Sequence, residues 1–151
     1  MADEQTLVII KPDGVQRSLA GEIIGRLERR GLQIVAMELR AIPRETAQRH
    51  YAEHEGKPFY AGLVDYIVSA PAVVLALSGP QAIAVTRSTV GATRPAEAAP
   101  GTIRGDLGLT VGRNLIHASD SPESAARELA LFFPAGVTAY DRAISPWLLE
   151  G

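Results

Sequence analysis

The sequence predicts an α/β fold of the α+β kind, a ferredoxin-like split βαβ arrangement with a four-stranded antiparallel sheet covered by helices. Two observations carry this. Short apolar, β-branched runs alternate along the chain with segments whose apolar residues recur at helical spacing. The 151 residues, 46% of them hydrophobic, suffice for a single domain spanning 1–151 that buries a core without disulfide support.

Residues 6–10 form a continuous apolar run suited to a buried central strand. Lys11-Pro12-Asp13-Gly14 then reads as a turn. Ser18 is placed to cap a helix whose apolar face holds Ala20, Ile23, Ile24 and Leu27, and Gly31 is placed to end it. Residues 33–41 alternate around Val35, Met37 and Leu39, the pattern of a strand with one packed face. Helices are predicted over 44–51 and 59–68, separated by Gly56 and Pro58. Residues 72–77 read as a second central strand, and Pro80 opens a helix that runs to Gly91. Residues 92–112 are rich in Gly, Pro, Ala and Thr without periodicity, a loop long enough to suggest function. A short strand over 114–119 follows. Ser121-Pro122 starts a helix with Ala125, Leu129, Phe132 and Phe133 on its buried stripe. The tail after Asp141 reads as extended.

Composition excludes several kinds of chemistry. With no cysteine, there is no thiolate catalysis and no thiolate-held metal or cluster. The net charge of −2 gives no general attraction to nucleic acid or anionic lipid, so no specific nucleic-acid partner is expected. The N-terminal residues do not resemble a signal peptide, and no run is long enough to span a membrane. A cytoplasmic location is expected.

Of three histidines, His117 lies at a strand end in Asn114-Leu-Ile-His-Ala-Ser-Asp120, just before a helix start whose N–H groups favour anions. A neutral imidazole is a competent nucleophile there. Glu128 borders the apolar stripe of the following helix, so it is expected to be partly buried and to need a partner such as Ser119 or His117. Arg87 shares a helix face with Ile83 and Val90, where an arginine wants an anion. Arg104 lies beside Gly105, where backbone can approach a ligand, and Thr93 and Thr102 offer hydroxyls nearby. His50-Tyr-Ala-Glu-His54 matches the H-x-x-E-H pattern of some zinc peptidases, but the helix it would need breaks at Gly56, so the spacing is taken as incidental. Gly105 to Gly112 has neither dinucleotide fingerprint nor Walker lysine.

Four segments in order resemble the nucleoside diphosphate kinase family over nearly the whole length. They are Lys11-Pro-Asp-Gly-Val-Gln-Arg17, His50-Tyr-Ala-Glu-His-Glu-Gly-Lys-Pro-Phe59, the stretch from Gly91 to Asp106, and the segment around His117. The resemblance implies transfer of the terminal phosphate of a nucleoside triphosphate to a nucleoside diphosphate, ping-pong, through a phosphohistidine on His117. Tyr51, Ser119 and Glu128 would support the histidine. The resemblance gives phosphate contacts to Arg87, Thr93 and Arg104, with His54 close by, and ribose and phosphate contacts to Lys11 and Asn114. Phe59 would stack on the base, with Leu63 and Val111. Mg²⁺ would arrive on the nucleotide phosphates, with no protein side chain as ligand. Self-assembly into a homotetramer or homohexamer built from dimers is implied, with the tail around Trp147 as a docking segment. Ala118, Leu107 and Arg94 depart from the family pattern without touching a proposed catalytic group. The competing reading is a nucleotide-binding module of the same fold that has lost catalysis.

Overall fold

The computed structural model describes residues 3–150. Strand β1 (Glu4–Ile10) leads into helices α1 (Pro12–Gln16) and α2 (Ala20–Arg29), then strand β2 (Gln33–Arg40). Helices α3 (Arg44–His50) and α4 (Tyr60–Ile67) precede β3 (Ala72–Gly79). Helices α5 (Ala82–Val90) and α6 (Ile103–Leu107) precede β4 (Ile116–Ala118), and α7 (Pro122–Phe132) and α8 (Ser145–Leu148) close the chain. The sheet order is β2-β3-β1-β4 with every pair antiparallel, the predicted split βαβ topology.

The two continuous apolar runs became the two inner strands because only inner strands are covered on both faces. Alternation along β1 divides its side chains. Val8 and Ile10 face a layer built with Ile23 and Leu27 of α2, Ala82 and Val90 of α5, and Ile103 of α6. Leu7 and Ile9 face the opposite layer, with Ala47 of α3, Val64 and Ile67 of α4, and Phe132 of α7. Gly31 ends α2 as predicted, at φ +110°. Its N–H donates to the Glu28 carbonyl and that of Leu32 to the Leu27 carbonyl, so two terminal carbonyls are satisfied.

Several local expectations are corrected. Lys11 to Gly14 is not a simple turn: Pro12 stands at the first position of α1, where its missing N–H costs nothing. Ser18 does not cap α2. It adopts φ +59° to reverse the chain, and Leu19 precedes the helix without a side-chain cap. Helix α5 starts at Ala82, after Pro80, because Gln81 takes a left-handed conformation at φ +52°. β4 is shorter than predicted because Leu115, at φ +74°, turns the chain just before it. The tail forms the short helix α8 instead of an extended segment. Residues 92–112 hold α6 and two single 3₁₀ turns, all too short to leave a periodic signal.

In β2 only the first part of the expected face is packed. Val35 is buried, but Met37 and Leu39 are 56% and 65% exposed. The strand lies at the sheet edge, and a bulge between Ile34 and Ala36 shifts its register, so Met37 and Leu39 are left uncovered.

Candidate active site

A cavity of about 250 Å³ opens where the ends of β1 and β4 meet α3, α5 and the 92–113 segment. Lys11, Tyr51, His54, Arg87, Thr93, Arg104, Asn114, His117 and Glu128 line it, joined by His50, Glu53, Ala118 and Asp120. Residues from both ends of the chain reach one point because β1 and β4 are neighbours, with Ile9 opposite His117.

His117 is the middle residue of β4. Its flanking residues Ile116 and Ala118 belong to the α2–α5 core layer, so strand alternation points the imidazole to the other face. There His117 Nε2 lies 2.8 Å from Glu128 Oε1. The same carboxylate oxygen accepts from Ser119 Oγ at 2.8 Å, and Ser119 Oγ accepts the Leu7 N–H at 3.1 Å. Glu128 and Ser119 are both buried. Glu128 is thus a buried carboxylate held by a hydroxyl that is itself anchored to the central strand. An acid so placed fixes the imidazole's rotation and its tautomer: Nε2 carries the hydrogen, and Nδ1 keeps its lone pair.

The cations are held differently from one another. Arg87 donates from one guanidinium nitrogen to the Ala118 carbonyl at 3.1 Å. Arg104 is buried and donates to the carbonyls of Asn114, Gly91 and Ile116, joining the ends of the loop to β4. Burial, with Arg87 nearby, lowers its guanidinium to about 10, so it remains charged at neutral pH. Lys11 Nζ donates to Asn114 Oδ1 at 3.0 Å, and Asn114 Nδ2 donates to the Thr93 carbonyl at 3.0 Å. Burial, with Arg104 nearby, pulls Lys11 down to about 8. Tyr51 is pushed up to about 12 by burial and by the charge of Glu128, so it keeps its O–H at neutral pH.

Backbone at two places carries the expectation of an anion or a ligand, and both places are engaged by the protein's own side chains. The start of α7 is already served: Ser121 Oγ accepts the Ser124 N–H, and Asp120 stands beside it with its carboxyl held below the usual range, chiefly by hydrogen bonding to Ser124. The cavity's positive charge therefore comes from side chains. At Gly105 the close approach that the structure shows is to the loop itself. A Cβ there would stand 2.0 Å from the Ala99 carbonyl oxygen and 2.7 Å from Thr102 Oγ1, so the crowding lies within the loop. Thr102 is used in the same place, with its hydroxyl donating to Ala99 and accepting the Gly105 N–H at the start of α6.

Phe59, Leu63 and Val111 do not line the cavity. Phe59 and Val111 are 51% and 46% exposed, while Leu63 packs against the α3–α4 layer. Phe59 connects to the cavity through His54, whose ring lies 5.2 Å from its own. His50 is the residue sequence reasoning set aside. It is buried, and its ring stands edge-on to His117 with centroids 4.6 Å apart. Burial, and then the neighbouring His117, pushes it down to about 2, so it is neutral. Its proximity to His117 left no periodic signal, because α3 ends at that residue and the final turn decides where its side chain goes.

Among the described residues, His50, His117 and Glu128 form the only group of three or more His, Asp or Glu side chains able to hold a metal together. Imidazole nitrogens do not make the all-oxygen octahedral shell that Mg²⁺ demands. Among the described residues this group therefore does not form a Mg²⁺ cage. No helix among the described residues is long and apolar enough to cross a membrane.

Comparison with known proteins adds a family. The family model described as nucleoside diphosphate kinase matches residues 4–137. A nucleoside diphosphate kinase of Archaeoglobus fulgidus is 60% identical over 148 residues, which are 97% of this chain and 98% of that one. One of Thermomicrobium roseum is 56% identical over 147 residues, 97% of this chain and 99% of its own. Among solved structures, the halophilic nucleoside diphosphate kinase of Halobacterium salinarum in complex with CDP superposes with a TM-score of 0.95 at 48% identity, covering 98% of this chain and 99% of that one.

Proposed function

The chain belongs to the nucleoside diphosphate kinase family, and on that premise we propose that its phosphotransfer runs through a covalent phosphate on His117. The observation that carries this is the His117–Glu128–Ser119 chain facing a cavity lined by Lys11, Arg87 and Arg104. The Nδ1 lone pair attacks the terminal phosphorus of a nucleoside triphosphate. The P–N bond forms, the bond to the bridging oxygen breaks, and the nucleoside diphosphate leaves. A terminal oxygen of a second diphosphate then attacks the phosphohistidine, the P–N bond breaks and the imidazole is restored. While the P–N bond exists, the ring carries extra positive charge, and Glu128 stabilises it through Nε2–H.

Phosphoryl transfer asks a protein mainly to position groups and stabilise charge on the transferring oxygens. Arg87, with donors left over after Ala118, is the direct phosphate ligand. Arg104 spends its donors on carbonyls and contributes chiefly its charge, holding the loop that presents Thr93. Lys11 and Asn114, already paired, reach the ribose and phosphates. His54 stands beside the phosphates, and Tyr51 supports the imidazole. Outside the cavity, Phe59 stacks on the base, flanked by Leu63 and Val111. Stacking tolerates any base. The divalent cation the reaction needs would be Mg²⁺, arriving with the nucleotide and offsetting charge on its phosphates. The protein works in the cytoplasm and self-associates through its exposed apolar surfaces.

The test is incubation with terminally labelled triphosphate. Label should remain on the protein in an acid-labile, base-stable form and be absent in His117→Ala. Phosphate exchange by that variant at the wild-type rate would overturn the reading.

A further inference from the structure

His50 has a feature that neither packing nor the transfer reaction explains. It is 4% exposed, and its Nδ1 is buried with no hydrogen-bond partner. A buried polar atom left unpaired is destabilising, a cost that a phenylalanine at the same position would avoid. One nitrogen of His50, one of His117 and one carboxylate oxygen of Glu128 lie within 4.8 Å of one another. This is a two-imidazole, one-carboxylate set, with the cavity as an open fourth side.

We propose that His50, His117 and Glu128 form an inhibitory site for a borderline divalent transition-metal ion, with Zn²⁺ the best match. Zinc takes imidazole nitrogen and carboxylate oxygen at about 2.0–2.2 Å in a tetrahedral shell, so its ligand atoms stand about 3.3 Å apart. Closing the set from 4.8 Å needs movements of roughly 1.5 Å, within the reach of side-chain torsions. Ser119 and Arg127, the latter 3.6 Å from Glu128 Oε2, hold the carboxylate in place. The fourth ligand is water or a nucleotide oxygen from the cavity.

The H-x-x-E-H pattern would have paired His50 with His54, and the structure separates them. Helix α3 ends at His50, and His54 sits on the next 3₁₀ turn with Glu53 at 3.7 Å and Lys57 at 3.5 Å. The consequence for chemistry is a change of tautomer. Metal on His117 Nε2 replaces the hydrogen there, and a proton from water is taken up at Nδ1. Nδ1 then has no lone pair, and the nucleophile is silent while the metal stays.

The inhibition, though not the binding, rests on His117 being the phosphate carrier, so the two are measured separately. Zn²⁺ is titrated by calorimetry into chelator-treated, nucleotide-free full-length protein. One site per chain is expected. His50→Gln should weaken it by at least about tenfold, since even outer-sphere changes cost 10–100-fold in metal affinity. His54→Gln should leave it unchanged. His50→Phe, which keeps the packing, should also lose the site. Nitrogen shifts of His117 should report the hydrogen moving from Nε2 to Nδ1 on metal addition. Autophosphorylation with Mg²⁺ and triphosphate should fall as Zn²⁺ is added to wild type and resist it in His50→Gln. The proposal is overturned if no stoichiometric site is found, or if His54→Gln abolishes it while His50→Gln and His50→Phe retain it. Zinc binding as described, with label on a residue other than His117, would instead overturn the nucleophile.

Discussion

Glu128 sets the state of the proposed nucleophile. Its oxygen lies 2.8 Å from both His117 Nε2 and Ser119 Oγ, with almost no solvent access. Glu128→Gln keeps the volume but removes the charge opposite the imidazole, so kcat should fall by about 10–100-fold with a much smaller change in KM. Steady-state kinetics with a fixed donor would show the opposite split if Glu128 served mainly in binding. Lys11 makes a pH prediction. Its folded value of about 8 lies below the ordinary 10.5, so the charged form is disfavoured by folding. That stability cost is present below the folded value and is relieved as pH rises from about 8 toward 10.5. For the nucleotide contact proposed for Lys11 the sign is opposite: the cation is lost as pH rises through about 8, so KM should rise there. In Lys11→Met that rise should be absent, as a KM–pH profile would show. At this scale the sequence was informative where a single helix face sufficed. Glu128 at the edge of an apolar stripe had to be buried and partnered. The partners of Arg104 were not legible, because its carbonyls come from three separated points of the chain.

Among the elements, the 92–113 segment is the one whose form the sequence hid. It holds together through particular contacts, not periodic ones: Arg104 to three carbonyls, Thr102 capping α6, and Asp106 accepting the Gly101 N–H at 2.8 Å and pairing with Arg26 at 2.7 Å. None of these repeats at a period. Gly105→Ala should be severe, since its Cβ would collide with the Ala99 backbone, which cannot swing aside as a side chain does. A loss of about 1–3 kcal/mol in denaturant stability is expected, with activity falling as Arg104 shifts. An unchanged midpoint would show that the loop has room to relax. The position of the start of α7 was legible: Ser121 accepts the Ser124 N–H at 3.1 Å, and Ser121→Ala should cost about 1 kcal/mol. The strands were legible where both faces are covered. β2 misled because alternation reports that one face is apolar and says nothing of what covers it.

The whole molecule leaves an apolar edge. Met37 and Leu39 stand out from β2, and Trp147 on α8 is 92% exposed. Exposed apolar surface of this kind on an edge strand is where the proposed self-association would fall. Replacing Met37 and Leu39 by Glu should lower the mass in solution by light scattering while the far-ultraviolet spectrum stays native. A constant mass would place the contact elsewhere. The order β2-β3-β1-β4 also has a consequence in time. Lys11 and Asn114 are 103 residues apart in the chain, Asp13 and Leu115 are 102 apart, and Leu7 and Ser119 are 112 apart, yet each pair is hydrogen-bonded. Glu128 lies further on still. On the ribosome, the first strand must therefore wait, unpaired on one side, until almost the entire polypeptide has emerged. On the proposed mechanism no nascent fragment that stops short of α7 can carry phosphate, and recovery of turnover on refolding should follow the last tertiary step, behind the recovery of helix.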